Sequence, residues 1–127
     1  MCLFSETKKP SVVRDKHIIC YKVIKLCEDP DSWEAMYIGK RFPFCKQIKA
    51  FGNWSVKRRP SERCYLVGRG FFHAFKDIRS ATYRRDLLGL FEKEHYKVVK
   101  CFIPIGSRYY ESISQICAEQ MIVTKEI

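Results

Sequence analysis

The sequence predicts an α+β fold: a mostly antiparallel β-sheet of five or six strands with one main α-helix packed on it. Three observations carry this expectation. Stretches rich in β-branched and aromatic residues alternate with a period of two, as at 17–26, 95–105 and 119–127. A single stretch, 77–94, places apolar residues at helical spacing. Turn-forming clusters such as Asp29-Pro30-Asp31-Ser32 and Gly52-Asn53 separate short segments.

Residues 1–16 are polar, contain Pro10, and read as an irregular arm whose Leu3 and Phe4 can tuck onto the body. His17–Leu26 (HIICYKVIKL) reads as a central strand, because Ile19, Tyr21 and Val23 mark one face and Ile18, Cys20 and Lys22 the other. CEDPDS is a turn, and Trp33–Gly39 is the second strand of a hairpin. Pro43 restricts Phe42–Ile48 to an edge strand or loop. The run KRRPSER, 57–63, reads as an exposed loop, and Cys64–Val67 as a short strand. Phe71, Phe72 and Phe75 send the chain into the core. Asp77 or Ser80 then caps a helix running to about Glu94, with Ile78, Ala81, Leu88 and Phe91 as its buried stripe and Gly89 as a candidate break. His95–Ile105 is the next strand, a looser stretch follows to Ala118, and Glu119–Ile127 closes the sheet.

One domain of 127 residues is expected, long enough to bury a core without cross-links. A hydrophobic fraction of 46% argues against disorder. No apolar run approaches the ~20 residues of a membrane span. The first residues, MCLFSETKKP, lack a secretion or lipidation pattern, so a cytoplasmic protein is expected. The seven cysteines are odd in number and none forms a C-x-x-C pair. They read as reduced, mostly buried small hydrophobes, and with three scattered histidines they predict no metal site and no cofactor.

The net charge is +10, and its placement carries the functional expectation. Thirteen basic residues lie between Lys40 and Arg85 against only Glu62 and Asp77, while the remainder of the chain is close to neutral. Such a concentration attracts polyanions or an acidic protein face. The candidate partner-binding or nucleic-acid-binding residues are Lys57, Arg58, Arg59, Arg63, Arg69, Arg84 and Arg85, with Lys40 and Arg41. Trp54, Tyr65, Phe71, Phe72 and Tyr83 are interleaved with them, which supplies stacking surfaces for single-stranded RNA.

Two other stretches invite chemistry. His73 in GFFHAF reads as a core histidine whose ring bonds a backbone carbonyl, rather than a catalytic base. IPIGSRYYES, 103–112, has a glycine after a strand where an anion could sit, but it lacks the P-loop and G-x-G-x-x-G patterns and reads as a structural turn. An ADP-ribosyl-transfer site would need His73, Arg108, Tyr109 and Glu111 to converge.

The opening MCLFS, GFFHAF before a helix, KCFIPIGSRYY and EQMIVTKEI together resemble a group of small uncharacterised proteins of bacteriophages and integrated mobile elements. In that group a GFHxF motif precedes a helix and an IPxGSxYY strand-turn precedes the last strand. The likeness covers about half the chain, mostly from Gly68 onward, and leaves 40–67 outside. It implies no activity, but it implies a setting: small phage proteins that antagonise host defence in a bacterial cytoplasm, such as anti-CRISPR proteins. The expectation is therefore a non-enzymatic inhibitor of a host defence effector, engaging an RNA-guided nuclease or its guide RNA. No small-molecule substrate is expected. A general RNA- or DNA-binding accessory protein is the first alternative; a nucleotide-signal sponge or an ADP-ribosyl-transfer enzyme is the second.

Overall fold

The chain is described by a computed structural model over residues 3–7, 9–35, 40–50, 56–59, 64–68, 71–92 and 95–126. Its strands are β1 (Leu3–Ser5), β2 (Ser11–Val12), β3 (Ile18–Leu26), β4 (Ser32–Glu34), β5 (Arg41–Pro43), β6 (Gln47–Lys49), β7 (Val56–Arg59), β8 (Cys64–Val67) and β9 (Phe72–Phe75). The helix α1 (Ile78–Glu92) follows, and then β10 (Tyr96–Ile103), β11 (Arg108–Glu111), β12 (Gln115–Ala118) and β13 (Gln120–Val123). The α+β class and the antiparallel pairing are as expected. The strands are more numerous than five or six, because stretches expected to be arm, loop or irregular also pair as short strands.

A ten-stranded sheet runs in the order β2-β11-β12-β9-β3-β10-β13-β6, with β4 and β5 branching from β3. Its backbone is the pair β3–β10, in register from Tyr96 opposite Lys25 to Ile103 opposite Ile18. The closing stretch is one bent strand: β12 pairs with β9, and β13, one residue later, pairs with β10. Since β9 and β10 both pair with β3, the sheet closes on itself. The bend is at Glu119, which is only 8% exposed. Its carboxylate accepts from Arg108 Nε at 2.6 Å, its amide donates to the Arg108 carbonyl, and its carbonyl accepts from Ala50. A carboxylate this buried is tolerated only because it is paired.

Strand alternation then divides the side chains between an inward and an outward face. Cys20 and Ile24 of β3, Val99, Cys101 and Ile103 of β10, and Ile116, Ala118, Met121 and Val123 of the bent strand fill the inward core. Trp33 and Phe42 stack within it at 4.9 Å, and Phe42 meets Phe72 edge-on at 5.3 Å. On the outward face, Val23, Phe75 and Val98 receive Ala81 of α1, with Leu88 alongside. A second sheet, β1-β8-β7, covers another outward sector, where Leu3, Val67 and Phe71 pack on Tyr110 and Cys117.

Several expectations change. The N-terminal arm is built into the fold: β1 pairs with β8, β2 pairs with β11, and Leu3 and Val13 are buried. Pairing rescues these polar residues from irregularity, since each strand satisfies the backbone of an edge neighbour. Lys57–Arg59 form strand rather than loop, held by β8 from Val56 opposite Val67 to Arg59 opposite Cys64. The second strand of the first hairpin is shorter than 33–39, and 36–39 lie outside the described residues. The looser stretch before Ala118 is the β11–β12 hairpin, and the last strand ends at Val123. The helix begins and ends near its expected bounds and continues through Gly89. Asp77 caps it, accepting from the Ser80 amide at 2.8 Å, but Ile78 is 40% exposed instead of part of the buried stripe.

Ile103 is fully buried and Ile113 is 99% exposed. Ile103→Ala should therefore cost about 2–5 kcal/mol in urea unfolding, and Ile113→Ala less than about 0.5. Glu119→Ala, which leaves Arg108 without its carboxylate and loosens the closing bend, should cost about 1–3 kcal/mol by the same measurement, with Glu119→Gln milder.

Candidate functional site

Of the candidate binding residues, Arg63 and Arg69 lie outside the described residues. The others fall on three elements. Lys40 and Arg41 lie at the start of β5 in the β4–β5 hairpin, Lys57, Arg58 and Arg59 are on β7 of the second sheet, and Arg84 and Arg85 are on α1. The basic run is thus contiguous in sequence but spread over two sheets and a helix. Within it, Lys76 pairs with Glu111 at 3.0 Å and Arg85 with Asp86 at 3.1 Å, which spends part of their charge locally. Arg41, Lys46, Lys49, Lys57, Arg58 and Arg79 are exposed and make no ion pair among the described residues.

A groove of about 400 Å³ lies between α1 and the 112–115 turn. Arg79, Tyr83, Arg84 and Leu87 form its helical wall, spaced so that all four share one helix face. Phe75 and Gln115, directly opposed on β9 and β12, form the sheet side. The turn is firmly held. Ser112 donates its amide to the Gln115 carbonyl at 2.9 Å, Gln115 returns its own to Ser112 Oγ at 3.2 Å, and Lys76 donates its amide to the Ser114 carbonyl at 2.9 Å. No carboxylate is among the described lining residues; Asp77, at the helix cap, accepts from Ser80 and Asp86 accepts from Arg85. Tyr83 is 68% exposed. The Gln115 Oε1 atom is buried with no hydrogen-bond partner. Tyr83 and Arg84 were among the residues offered by the sequence, and Arg79 and Leu87 join them through helical spacing; Gln115 carried no signal, because only the β9–β12 pairing sets it beside the helix.

His73 is where its sequence context suggested. Its Nε2 is 3.0 Å from the Gly68 carbonyl, and Nδ1 is buried without a partner. A neutral ring with the proton on Nε2 fits this arrangement. Burial pushes its pKa down to about 4, aided by the nearby Lys22 ammonium and opposed by the bond to Gly68. Lys22 was not singled out from the sequence. It lies between Cys20 and Ile24 on the inward face, and its ammonium donates to the His73 carbonyl at 2.6 Å and stands 5.8 Å from the Trp33 ring. Desolvation lowers its pKa.

The four residues of the transfer-type alternative do not share a face. His73 opposes Cys117, and Cys117 opposes Tyr110. Alternation therefore puts His73, Tyr110 and Arg108 on the outward side, and Tyr109 and Glu111 on the other. Arg108 is bound to Glu119 and Glu111 to Lys76. The glycine turn has no free cradle either: Gly106, at φ 90°, donates its amide to Val13, and Ser107 donates to Pro104. The five described free thiols include Cys20, Cys101 and Cys117, all buried. Burial raises the Cys117 pKa to about 12, and its bond to Cys101 together with burial raises that of Cys20, so both stay protonated. Among the described residues, no three of His, Cys, Asp and Glu gather to hold a metal ion, and no helix is long and apolar enough to cross a membrane.

Comparison of the chain with protein-family models, with curated proteins and with solved structures gives no match in any of the three.

The lowered pKa of His73 fixes a pH dependence. Between about 4 and 6.5 the unfolded chain binds this proton and the folded one does not, so stability falls as pH drops through that window. The loss should reach about 3 kcal/mol by pH 4. Urea unfolding across the window should show the slope in the native sequence and lose it in His73→Gln; equal slopes in both would refute the assignment.

Proposed function

We propose that this chain is a non-enzymatic binding protein for an RNA-bearing partner, of the kind a phage accessory protein uses to block an RNA-guided defence nuclease. One observation carries the polyanion part: Arg41, Lys46, Lys49, Lys57, Arg58 and Arg79 are exposed and unpaired among the described residues. Exposed lysine and arginine outside ion pairs keep much of their field for a partner, and neutralising a phosphate backbone releases its counterions.

RNA is favoured over an acidic protein surface because an exposed aromatic, Tyr83, stands beside Arg79 and Arg84. Charge plus an accessible ring is the combination that single strands use. The defence setting rests on the likeness carried by MCLFS, GFFHAF, KCFIPIGSRYY and EQMIVTKEI. Lys57, Arg58, Lys40 and Arg41 remain in the proposed surface, with Arg84 at the groove. Lys46, Lys49 and Arg79 join it, and Arg85 contributes less because Asp86 holds it.

The test is anisotropy titration of a labelled single-stranded RNA between about 50 and 200 mM salt. Affinity should fall steeply with salt, and the combined change Arg41→Gln, Lys49→Gln, Arg58→Gln should weaken binding and reduce the log–log slope by about 2. Binding that is insensitive to salt, or unchanged in the triple variant, refutes the reading. Recovery of an RNA-guided nuclease with the tagged protein, lost on RNase treatment, would support the setting; recovery that survives RNase points to protein contact instead.

A further inference from the structure

β3 and β10 carry apolar residues on both faces, the pattern of strands covered on both sides. Their inward faces fill the core. On the outward face α1 takes only one end of the pair: Ala81 packs with Val23 and Val98, which stand opposite each other. Toward the other end, the register sets Ile19 opposite Phe102, and Phe102 opposite Ile122 of β13. These residues make an apolar row across three strands, at positions that alternation turns away from the core. Ile19 is 46% exposed, and Phe102 and Ile122 are half-buried. None of the three belongs to the core or to the clusters beneath α1 and the second sheet. Apolar residues scattered singly over a surface are ordinary, whereas a row in direct register marks a face that something covers. The surroundings of the row are basic. Lys100 holds its ammonium 5.6 Å from the Phe102 ring centre, and Lys49 of β6 is exposed on the same side as Ile122. Neither lysine makes an ion pair among the described residues. No outward position of β3, β10, β13 or β6 is acidic.

We propose that this row is a docking face for an acidic amphipathic helix of a protein partner, lying on the same side of the sheet as α1. Apolar side chains of that helix cover Ile19, Phe102 and Ile122, and its carboxylates meet Lys100 and Lys49. The sheet already receives a helix in this way where Ala81 meets Val23 and Val98. Charge complementarity selects the occupant. A second copy joined through the same patch would bring only like charges together, since the patch holds lysines and no acid. A single-stranded nucleic acid needs open ring faces. The row offers two aliphatic side chains and one ring, which His17 meets edge-on at 4.8 Å and Lys100 overlies. The contact is independent of the RNA reading above: of the residues named for it, only Lys49 is shared with that surface.

The test uses the full chain and a labelled synthetic helical peptide with leucine along one face and glutamate along the other, read by anisotropy. The peptide should bind, and Ile19→Asp, at an exposed position, should weaken it about tenfold. Lys100→Gln should weaken it less and reduce its salt dependence. Versions of the peptide with serine for leucine, or lysine for glutamate, should bind at least about tenfold more weakly. Single-stranded RNA should bind the native chain and Ile19→Asp equally. If the peptide binds as expected but RNA binds neither form, the docking face stands and the RNA reading falls. If RNA binds but the peptide does not, or binds native, Ile19→Asp and Lys100→Gln alike, the docking face falls and the RNA reading stands. Equal binding of the serine and leucine peptides reduces the face to a charge contact and overturns the proposal. Two further results overturn it: a dimer in sedimentation that Ile19→Asp dissociates, which gives the row to a second copy, and RNA binding that Ile19→Asp weakens, which gives it to the nucleic acid.

Discussion

The bend at Glu119 is the constraint on which the rest of the structure depends. A straight strand over 115–123 could pair with β9 or with β10, but not with both along its length. Turning at one residue lets it pair with β9 before the bend and β10 after it, which closes the sheet around a single core. The turn puts a carboxylate at a position only 8% exposed, and Arg108 from the neighbouring strand meets it. Backbone bonds from Glu119 to Arg108 and from Ala50 to Glu119 tie three segments to that point. The corner is thus held by charge and by backbone pairing together.

Closure gives the sheet an inside and an outside with different duties. The inside holds the apolar residues, with Lys22 as its one exception among the residues named for that core: its charge is offset by a carbonyl and the face of Trp33. The outside is covered in sectors. Helix α1 takes the part around Val23, Val98 and Phe75, and the three-stranded sheet takes the part around Tyr110 and Cys117. The groove forms where the helix meets the β11–β12 turn. His73, between the two covers, holds the carbonyl of Gly68 and offers its own carbonyl to Lys22, linking outside to inside. Its ring is tied to the backbone in the geometry described, whereas Arg79 and Tyr83 on the neighbouring helix are exposed.

The parts of the fold that were legible share one property: their signal is local. β3 and β10 announced themselves by alternation and β-branched residues, α1 by its cap at Asp77 and its apolar spacing, and the 104–107 turn by Gly106. His73 was legible as a core histidine because phenylalanines surround it. The N-terminal strands were not legible, since Leu3–Ser5 and Ser11–Val12 are strands only through their partners β8 and β11. The same holds for Lys57–Arg59, whose charge reads as loop until β8 supplies hydrogen bonds. Ile78 fits the helical stripe by spacing, yet it remains 40% exposed, and spacing within one segment does not say which end of a helix is covered.

By itself the sequence determined the α+β class, the position of the helix, the reduced character expected of the cysteines, and the concentration of positive charge between Lys40 and Arg85. These depend on composition and on spacing within one segment. Only the tertiary structure decided that the sheet closes through Glu119, that the basic run divides among a hairpin, β7 and α1, and that Gln115 faces Arg79 and Tyr83 across a groove. Each of those is a relation between residues far apart in the chain, and strand pairing, which sets it, has no counterpart in local sequence pattern.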